Sequence, residues 1–445
     1  MATKVNIIGL GCAKNMVDTE WMLGILNEQG YHIVEDVQEA EVIIVNTCGF
    51  ITPAKEEAIS VIFETVQYKE AGKTKAVLVS GCLAQRYGAV LLEEIPEIDG
   101  VFGTGYVPQV ADLVALALQG ERFCQVGAPS FSFCATMPRI LTTPSHYAYV
   151  KIAEGCSNCC AYCAIPSIRG AYHSRPMDHI LQEVSLLLER GVKEVILVAQ
   201  DTTAYGLKEK GKPQLATLVQ RIASLGVPWI RLMYCYPTGF TPELIETMAQ
   251  NDNVCRYVDL PLQHASPRIL QAMNRKGTVE EVETLIHNLR QTIPDIALRT
   301  TFMVGFPGEN SEDFAMLLDF MKKMRFEKAG VFQFSPEEGT AAEKMPYQVP
   351  EREKEERYQK AMLCQQEISK AGNARHLGKV LDVLVEQGPE EKANVYIGRS
   401  QWDSPEVDGT VVLQAQGRVL HPGDMVRVKI LHTDVYDLQG ELIGP

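Results

Sequence analysis

Six of the twelve cysteines in this 445-residue chain fall into two sets whose spacing suits metal chemistry. Cys156, Cys160 and Cys163 stand in the run Glu154-Gly155-Cys156-Ser157-Asn158-Cys159-Cys160-Ala161-Tyr162-Cys163. Three thiolates on one short loop, with no fourth partner nearby, suit an iron–sulfur cluster or zinc. A structural zinc site is closed and usually gathers four ligands in two pairs. Three ligands on a cubane would leave one iron open to bind something else.

The second set is dispersed. Cys12, Cys48 and Cys82 each follow a short apolar run, at residues 5–9, 41–46 and 76–80, and stand 36 and 34 residues apart. That interval is about one βαβ unit. Ligands of open α/β sheets bind beyond the carboxyl ends of the strands, so the three thiols are expected to converge there. Gly9-Leu10-Gly11 invites a dinucleotide reading, but Lys14 occupies the last position of that fingerprint and the reading fails.

The elements that must position these residues follow from apolar patterning. Residues 1–125 alternate short, doubly apolar runs with helical segments near 19–29 and 53–69, which predicts an open parallel α/β sheet. Residues 126–145 hold Gly127-Ala128-Pro129-Ser130 and Thr142-Thr143-Pro144-Ser145 and read as a linker. Cys124 and Cys134 flank this stretch without partner spacing and receive no role. From 146 to 375 a second alternation predicts six strands, at 148–152, 194–198, 229–233, 257–260, 297–304 and 331–334, and a partial (β/α) barrel. Function in such folds gathers at the strand carboxyl ends, and the 156–163 loop follows the first strand. Residues 351–356 carry a charge run that begins a helix reaching about residue 370. From 376 to 445, short strands at 380–386, 393–397, 410–413 and 425–431 predict a small β-barrel of the OB type.

Other strand ends offer ligand-binding groups. Gln200 follows the second strand and either contacts a ligand or caps a helix. Arg299 lies in the fifth strand and is placed to hold a carboxylate. Gly305 either lets the backbone approach a ligand or only makes a turn. His264 is expected to fix its loop by hydrogen bonds.

Composition bounds the function classes. The net charge of −14 disfavours a large phosphate-tracking surface. The last 70 residues hold 6 Lys and Arg against 11 Asp and Glu, so the barrel is expected to grip a basic protein surface or to pack on the catalytic domain. No secretory signal or membrane span is expected. The many cysteines then point to ligation in a reducing cytoplasm.

The Cys-x3-Cys-x2-Cys spacing, with Tyr162 before the last cysteine, resembles the signature of the radical S-adenosylmethionine (SAM) enzymes. Only Cys160 gives that spacing, which leaves Cys159 spare. In that superfamily the open iron chelates SAM, and an electron from the cluster splits the sulfonium to a 5′-deoxyadenosyl radical. The three parts of the chain together resemble the methylthiotransferase family, with a three-cysteine N-terminal domain, a radical SAM domain and a C-terminal TRAM domain. Local strings are similar to its ribosomal-protein branch, among them Gly11-Cys12-Ala13-Lys14-Asn15 with Asp18-Thr19-Glu20. Ile165-Pro166-Ser167-Ile168-Arg169-Gly170, Gln200-Asp201-Thr202-Thr203-Ala204-Tyr205-Gly206 and Gly398-Arg399-Ser400 followed by Asp403, Pro405, Glu406, Asp408 and Gly409 belong with them. Ala13, where the branch more often has proline, and Cys159 are the departures.

The resemblance implies two [4Fe–4S] clusters, one on Cys156, Cys160 and Cys163 that cleaves SAM, and an auxiliary one on Cys12, Cys48 and Cys82. Tyr162, Gln200, Arg299 and Gly305 are the candidates for SAM contact. The implied substrate is an aspartate of small-subunit ribosomal protein twelve, free or in the subunit, converted to 3-methylthioaspartate. The implied setting is a cytoplasmic monomer served by an electron donor protein. The rival readings are the same chemistry on tRNA, a non-catalytic iron–sulfur carrier, and a zinc-stabilised binding module.

Overall fold

The computed structural model describes residues 2–128, 137–389 and 394–443. Cys134 and part of the expected linker lie outside the described residues, as does residue 393 of the expected barrel strand.

The N-terminal unit is a six-stranded parallel sheet. Its strands are β1 (Lys4–Gly9), β2 (His32–Ile33), β3 (Val42–Thr47), β4 (Ala76–Ser80), β5 (Gly100–Phe102) and β6 (Phe123–Gln125), in the order β2-β1-β3-β4-β5-β6. Every residue of β3 and β4 is buried, because helices cover both faces of such a sheet. The helices α1 (Ala13–Glu28), α2 (Thr52–Glu70) and α3 (Gly81–Glu94) follow β1, β3 and β4.

The central unit is a second parallel sheet, with β7 (Tyr147–Lys151), β10 (Glu194–Val198), β11 (Trp229–Leu232), β12 (Val254–Asp259), β13 (Ala297–Val304) and β14 (Lys328–Gln333). The order β14-β13-β12-β11-β10-β7 leaves the barrel open. A short antiparallel ladder, β8 (Ala153–Glu154) on β9 (His173–Ser174), pins the base of the cysteine loop. Strand alternation divides two cores. Ala148, Val150, Val195 and Leu197 face the outer helices. Tyr147, Tyr149, Ile196 and Val198 face inward, where they pack with Val17, Trp21 and Val110 of the N-terminal unit. The inner face of this sheet is thus closed in part by α1.

The C-terminal unit is a closed barrel of β15 (Val380–Gln387), β16 (Val395–Ser400), β17 (Val411–Gln414), β18 (Met425–Thr433) and β19 (Leu438–Leu442). β19 was not expected from the sequence, since its run Leu-Gln-Gly-Glu-Leu is short and interrupted by glycine. The barrel docks at the amino ends of the central strands. The Tyr257 hydroxyl donates to Asp408 at 2.7 Å, that of Tyr147 to Glu406 at 3.0 Å, and Lys328 pairs with Asp403 at 2.6 Å. The acidic residues of the barrel's 403–408 string therefore serve the catalytic unit, the second of the two expectations. Among the described residues no helix is long and apolar enough to cross a membrane.

Candidate active site

Both cysteine triads line one cavity of about 350 Å³ at the carboxyl ends of the two sheets. Cys12 is the N-cap of α1, Cys48 follows β3, and Cys82 lies in the first turn of α3. Helix N-termini carry partial positive charge and favour thiolates. The turn before α1 is tight. Gly11 has φ +90°, and a Cβ there would lie 2.7 Å from the Cys48 Cβ, so glycine lets the first two turns approach.

The 156–163 loop is held by its backbone. The Cys156 N–H donates to Gly170 O at 3.0 Å, and Cys163 N–H donates to Cys160 O at 3.0 Å. The Ala161 N–H donates to Met273 O and the Ala161 carbonyl accepts from Ala342 N–H. Among the described residues no three Cys, His, Asp or Glu side chains meet closely enough to hold a single ion. A cubane takes its ligands on different iron atoms, and the three thiols of each triad line the cavity wall to receive one.

Electrostatics separate the thiols. Desolvation by the surrounding chain opposes ionisation of the exposed Cys12, but the Lys14 ammonium and the Arg169 guanidinium together hold it below its ordinary range. Burial pushes Cys82 up to about 11 and Cys163 up to about 12, and raises Cys48 and Cys156 as well. Thiols desolvated in this way ionise only against a cation, and metal ligation releases their protons.

Arg169 stands between the triads. It ends the short helix Ile165–Arg169 behind Cys163 and donates to Asp18, to Glu154 and to Asn15 Oδ1. Lys151 pairs with Asp18 and Glu154 in the same buried cluster. Beyond it, Arg139 pairs with Glu20 and Glu183. Arg139 and Lys151 had no role in the sequence reading, and Asn15, Asp18 and Glu20 entered it only within a string similar to the ribosomal-protein branch. The signal available was the polar run of α1, whose Lys14, Asn15, Asp18, Thr19 and Glu20 are all buried.

Of the four expected SAM contacts, two line the cavity. Tyr162 does so with Arg275, whose Nη1 donates to the tyrosine hydroxyl at 3.4 Å. Gln200 does so with its amide nitrogen donating to Glu154 at 3.2 Å, while its buried Oε1 has no partner among the described residues. A buried amide oxygen without a donor suits a bound ligand. Arg299 does not reach the cavity. It lies near the start of β13, with Nη1 3.0 Å from Asp259 and Nε 3.4 Å from Asp408. Two carboxylates already neutralise it, and it belongs to the barrel junction. Gly305 takes the turn reading. Its φ is +76° and its N–H donates to Glu309 Oε2 at 2.8 Å, so it is not available to a ligand. His264 accepts from Ser266 N–H at 2.9 Å and fixes its loop as expected. Cys159 is exposed, and its carbonyl accepts from Asn274.

The structure adds residues to the wall. Lys14, Phe50, Cys235, Tyr236 and Gln263 line it, with Tyr234, whose φ of +58° is unusual for a tyrosine. Cys235 follows β11 as the other thiols follow their strands, which was a usable signal.

Family models match residues 4–103 (Uncharacterized protein family UPF0004), 150–321 (Radical SAM superfamily) and 377–443 (TRAM domain). The chain is 51% identical over 444 residues to the ribosomal protein uS12 methylthiotransferase RimO of Heliobacterium modesticaldum, covering 100% of this chain and 96% of that protein. It is 51% identical over 440 residues to the RimO of Desulforamulus reducens, covering 98% and 99%. Among solved structures, the radical SAM methyltransferase TsrM from Kitasatospora setae shares the fold at a TM-score of 0.56 and 16% identity, over 75% of each chain. The cobalamin-dependent radical enzyme OxsB shares it at 0.53 and 12%, over 83% of this chain and 56% of that one. With identity of this level over its full length, the chain belongs to the RimO family of radical SAM methylthiotransferases.

Proposed function

We propose that the protein replaces a β-carbon hydrogen of an aspartate in small-subunit ribosomal protein uS12 with a methylthio group, giving 3-methylthioaspartate. The observation that carries this reading is the meeting of two cysteine triads in one cavity. Cys156, Cys160 and Cys163 would hold a [4Fe–4S] cluster with SAM, and Cys12, Cys48 and Cys82 a second cluster. When bound, these groups supply one-electron cleavage of SAM, radical attack on an unactivated C–H bond, and sulfur and methyl donation.

The chain's own part is orientation, charge and exclusion of water. The buried Arg169, Lys151, Asp18 and Glu154 lock α1 against the central sheet and so fix the separation of the triads. Arg169 offsets negative charge beside Cys12 and Cys82. Phe50, Ile165 and Tyr236 supply apolar wall that keeps water from a reactive centre. Tyr162 and Gln200 are placed to contact SAM. By family likeness we infer a cytoplasmic monomer that takes electrons from a donor protein.

The test is an anaerobic reaction of reconstituted protein with uS12 or a peptide of the loop bearing the aspartate. The expected product gains a methylthio group. No gain with active clusters, or modification of tRNA instead, overturns the reading. Cys48→Ala should retain SAM cleavage to 5′-deoxyadenosine and lose sulfur insertion. Loss of cleavage with the other cluster intact would refute separate roles.

A further inference from the structure

Three cationic side chains reach the cavity wall: Lys14, Arg169 and Arg275. Two are already engaged. Arg169 donates to Asp18, Glu154 and Asn15. Arg275 donates to the Pro261 carbonyl and the Tyr162 hydroxyl, and its guanidinium lies 4.3 Å from the Tyr236 ring centroid.

Lys14 differs. It is buried, and its Nζ lies 3.3 Å from the ring centroid of Tyr234. Among the described residues no carboxylate pairs with it, as none pairs with Arg275; Tyr234, which also hydrogen-bonds it, and the Cys12 thiol favour its charge, and Arg169 opposes it. A ring face attracts a cation but does not replace an anion, and an ammonium withdrawn from water calls for one. The partner ring is itself held in a strained place. Tyr234 sits in the left-handed region, its N–H donating to Asp259 Oδ2 at 3.0 Å and its carbonyl accepting from Thr202 N–H at 3.0 Å. Backbone strain maintained in this way is common where a ligand is gripped. Lys14 is also two residues beyond Cys12, in the first turn of α1, so its charge lies in the chamber that both triads share.

We propose that the Lys14 ammonium binds the side-chain carboxylate of the aspartate that is modified, and so determines specificity for an acidic residue. This rests on the aspartate reading given above. The carboxylate is one bond from the β-carbon, so gripping it fixes the reacting carbon in the chamber. A buried ammonium discriminates a carboxylate from the near-isosteric amide, because the amide leaves the charge uncompensated. A nucleobase offers no carboxylate at all.

The test compares binding of two loop peptides, with aspartate or asparagine at the target position, to the reconstituted holoenzyme under anaerobic conditions. The wild-type protein should prefer aspartate by roughly tenfold to a hundredfold, as expected of a charged hydrogen bond. Lys14→Met should bring the ratio close to one, and Lys14→Arg should keep most of it. Lys14→Gln replaces the methionine variant should that one fail to fold. A preference that persists in the neutral variant overturns the proposal. So does loss of iron from that variant, which would assign the ammonium to the auxiliary cluster, and so does weaker SAM binding with the peptide ratio intact. Should wild-type protein modify neither uS12 nor the aspartate peptide, the aspartate reading itself falls and this inference with it. Modification of aspartate with an unchanged ratio in the variant removes the role of Lys14 alone.

Discussion

The Arg169 guanidinium donates to Asp18 Oδ2 at 3.0 Å, joining the helix behind the 156–163 loop to the first helix of the N-terminal sheet unit. Both side chains are almost wholly buried. Glu154 and Lys151 complete the cluster, so two cations face two carboxylates in the seam between the units.

Breaking this seam should be costly. Asp18→Asn leaves Arg169 and Lys151 facing a single carboxylate, and removing one partner of a buried pair costs about 3–5 kcal/mol. Urea unfolding should show a loss of that order. Methylthio transfer should fall further than SAM cleavage, because the separation of the triads depends on the seam. Equal loss of the two activities would argue that the seam supports folding alone.

Gly11→Ala should disturb the second triad selectively. The substitution places a Cβ 2.7 Å from Cys48 Cβ and 3.2 Å from its Sγ, at φ +90°. The backbone cost is about 1–2 kcal/mol for an L-residue in the left-handed region. Gly30→Ala, at φ +85° with open space around it, carries the backbone cost without the contact. Iron per chain should drop in the Gly11 variant and hold in the Gly30 variant. The same iron content in both would show that Cys48 tolerates the intrusion.

The barrel junction should weaken in acid. Glu194 accepts from Arg231 Nε at 2.6 Å and from Arg399. Burial raises its carboxyl, but the two guanidiniums outweigh burial and hold it below the ordinary 4.5. A carboxyl lowered in the folded state adds stability that is present above its unfolded value and is lost as pH falls through the folded one. Unfolding free energy should therefore decline below about pH 4.5. Glu194→Gln should be less stable at neutral pH, by about 3–5 kcal/mol, and should show a flatter acid limb. An acid limb as steep as that of the wild type would assign the titration to another group.

Arg299→Ala should loosen the barrel and leave SAM binding alone. The guanidinium bridges Asp259 and Asp408, and removing it should cost about 1–3 kcal/mol. The Michaelis constant for SAM should not change. A several-fold rise would restore the carboxylate role that the sequence suggested.

Much of the site was legible in the chain because its ligands are marked by type and spacing. Cys156, Cys160 and Cys163 lie within one loop. Cys12, Cys48 and Cys82 recur at the period of a βαβ unit, and that period puts successive strand ends side by side. Arg299 and Gly305, expected as SAM contacts, lie off the cavity wall. A strand reveals its alternation, but not where along its length the cavity begins; Arg299 is held by Asp259 and Asp408, distant in sequence, and Gly305 by Glu309 in its own turn.

Sequence by itself determined the two parallel sheets, the barrel and the two sets of cysteines that line the cavity, since periodicity and residue type are local properties. Tertiary structure alone decided that α1 turns Lys14, Asn15 and Asp18 toward the central sheet, that Arg169 bridges the triads, and that the barrel's acidic string faces the catalytic unit. Those choices depend on which buried charges find partners across unit boundaries. No local pattern encodes that pairing, because the free energy of a buried ion depends on the groups that surround it in space.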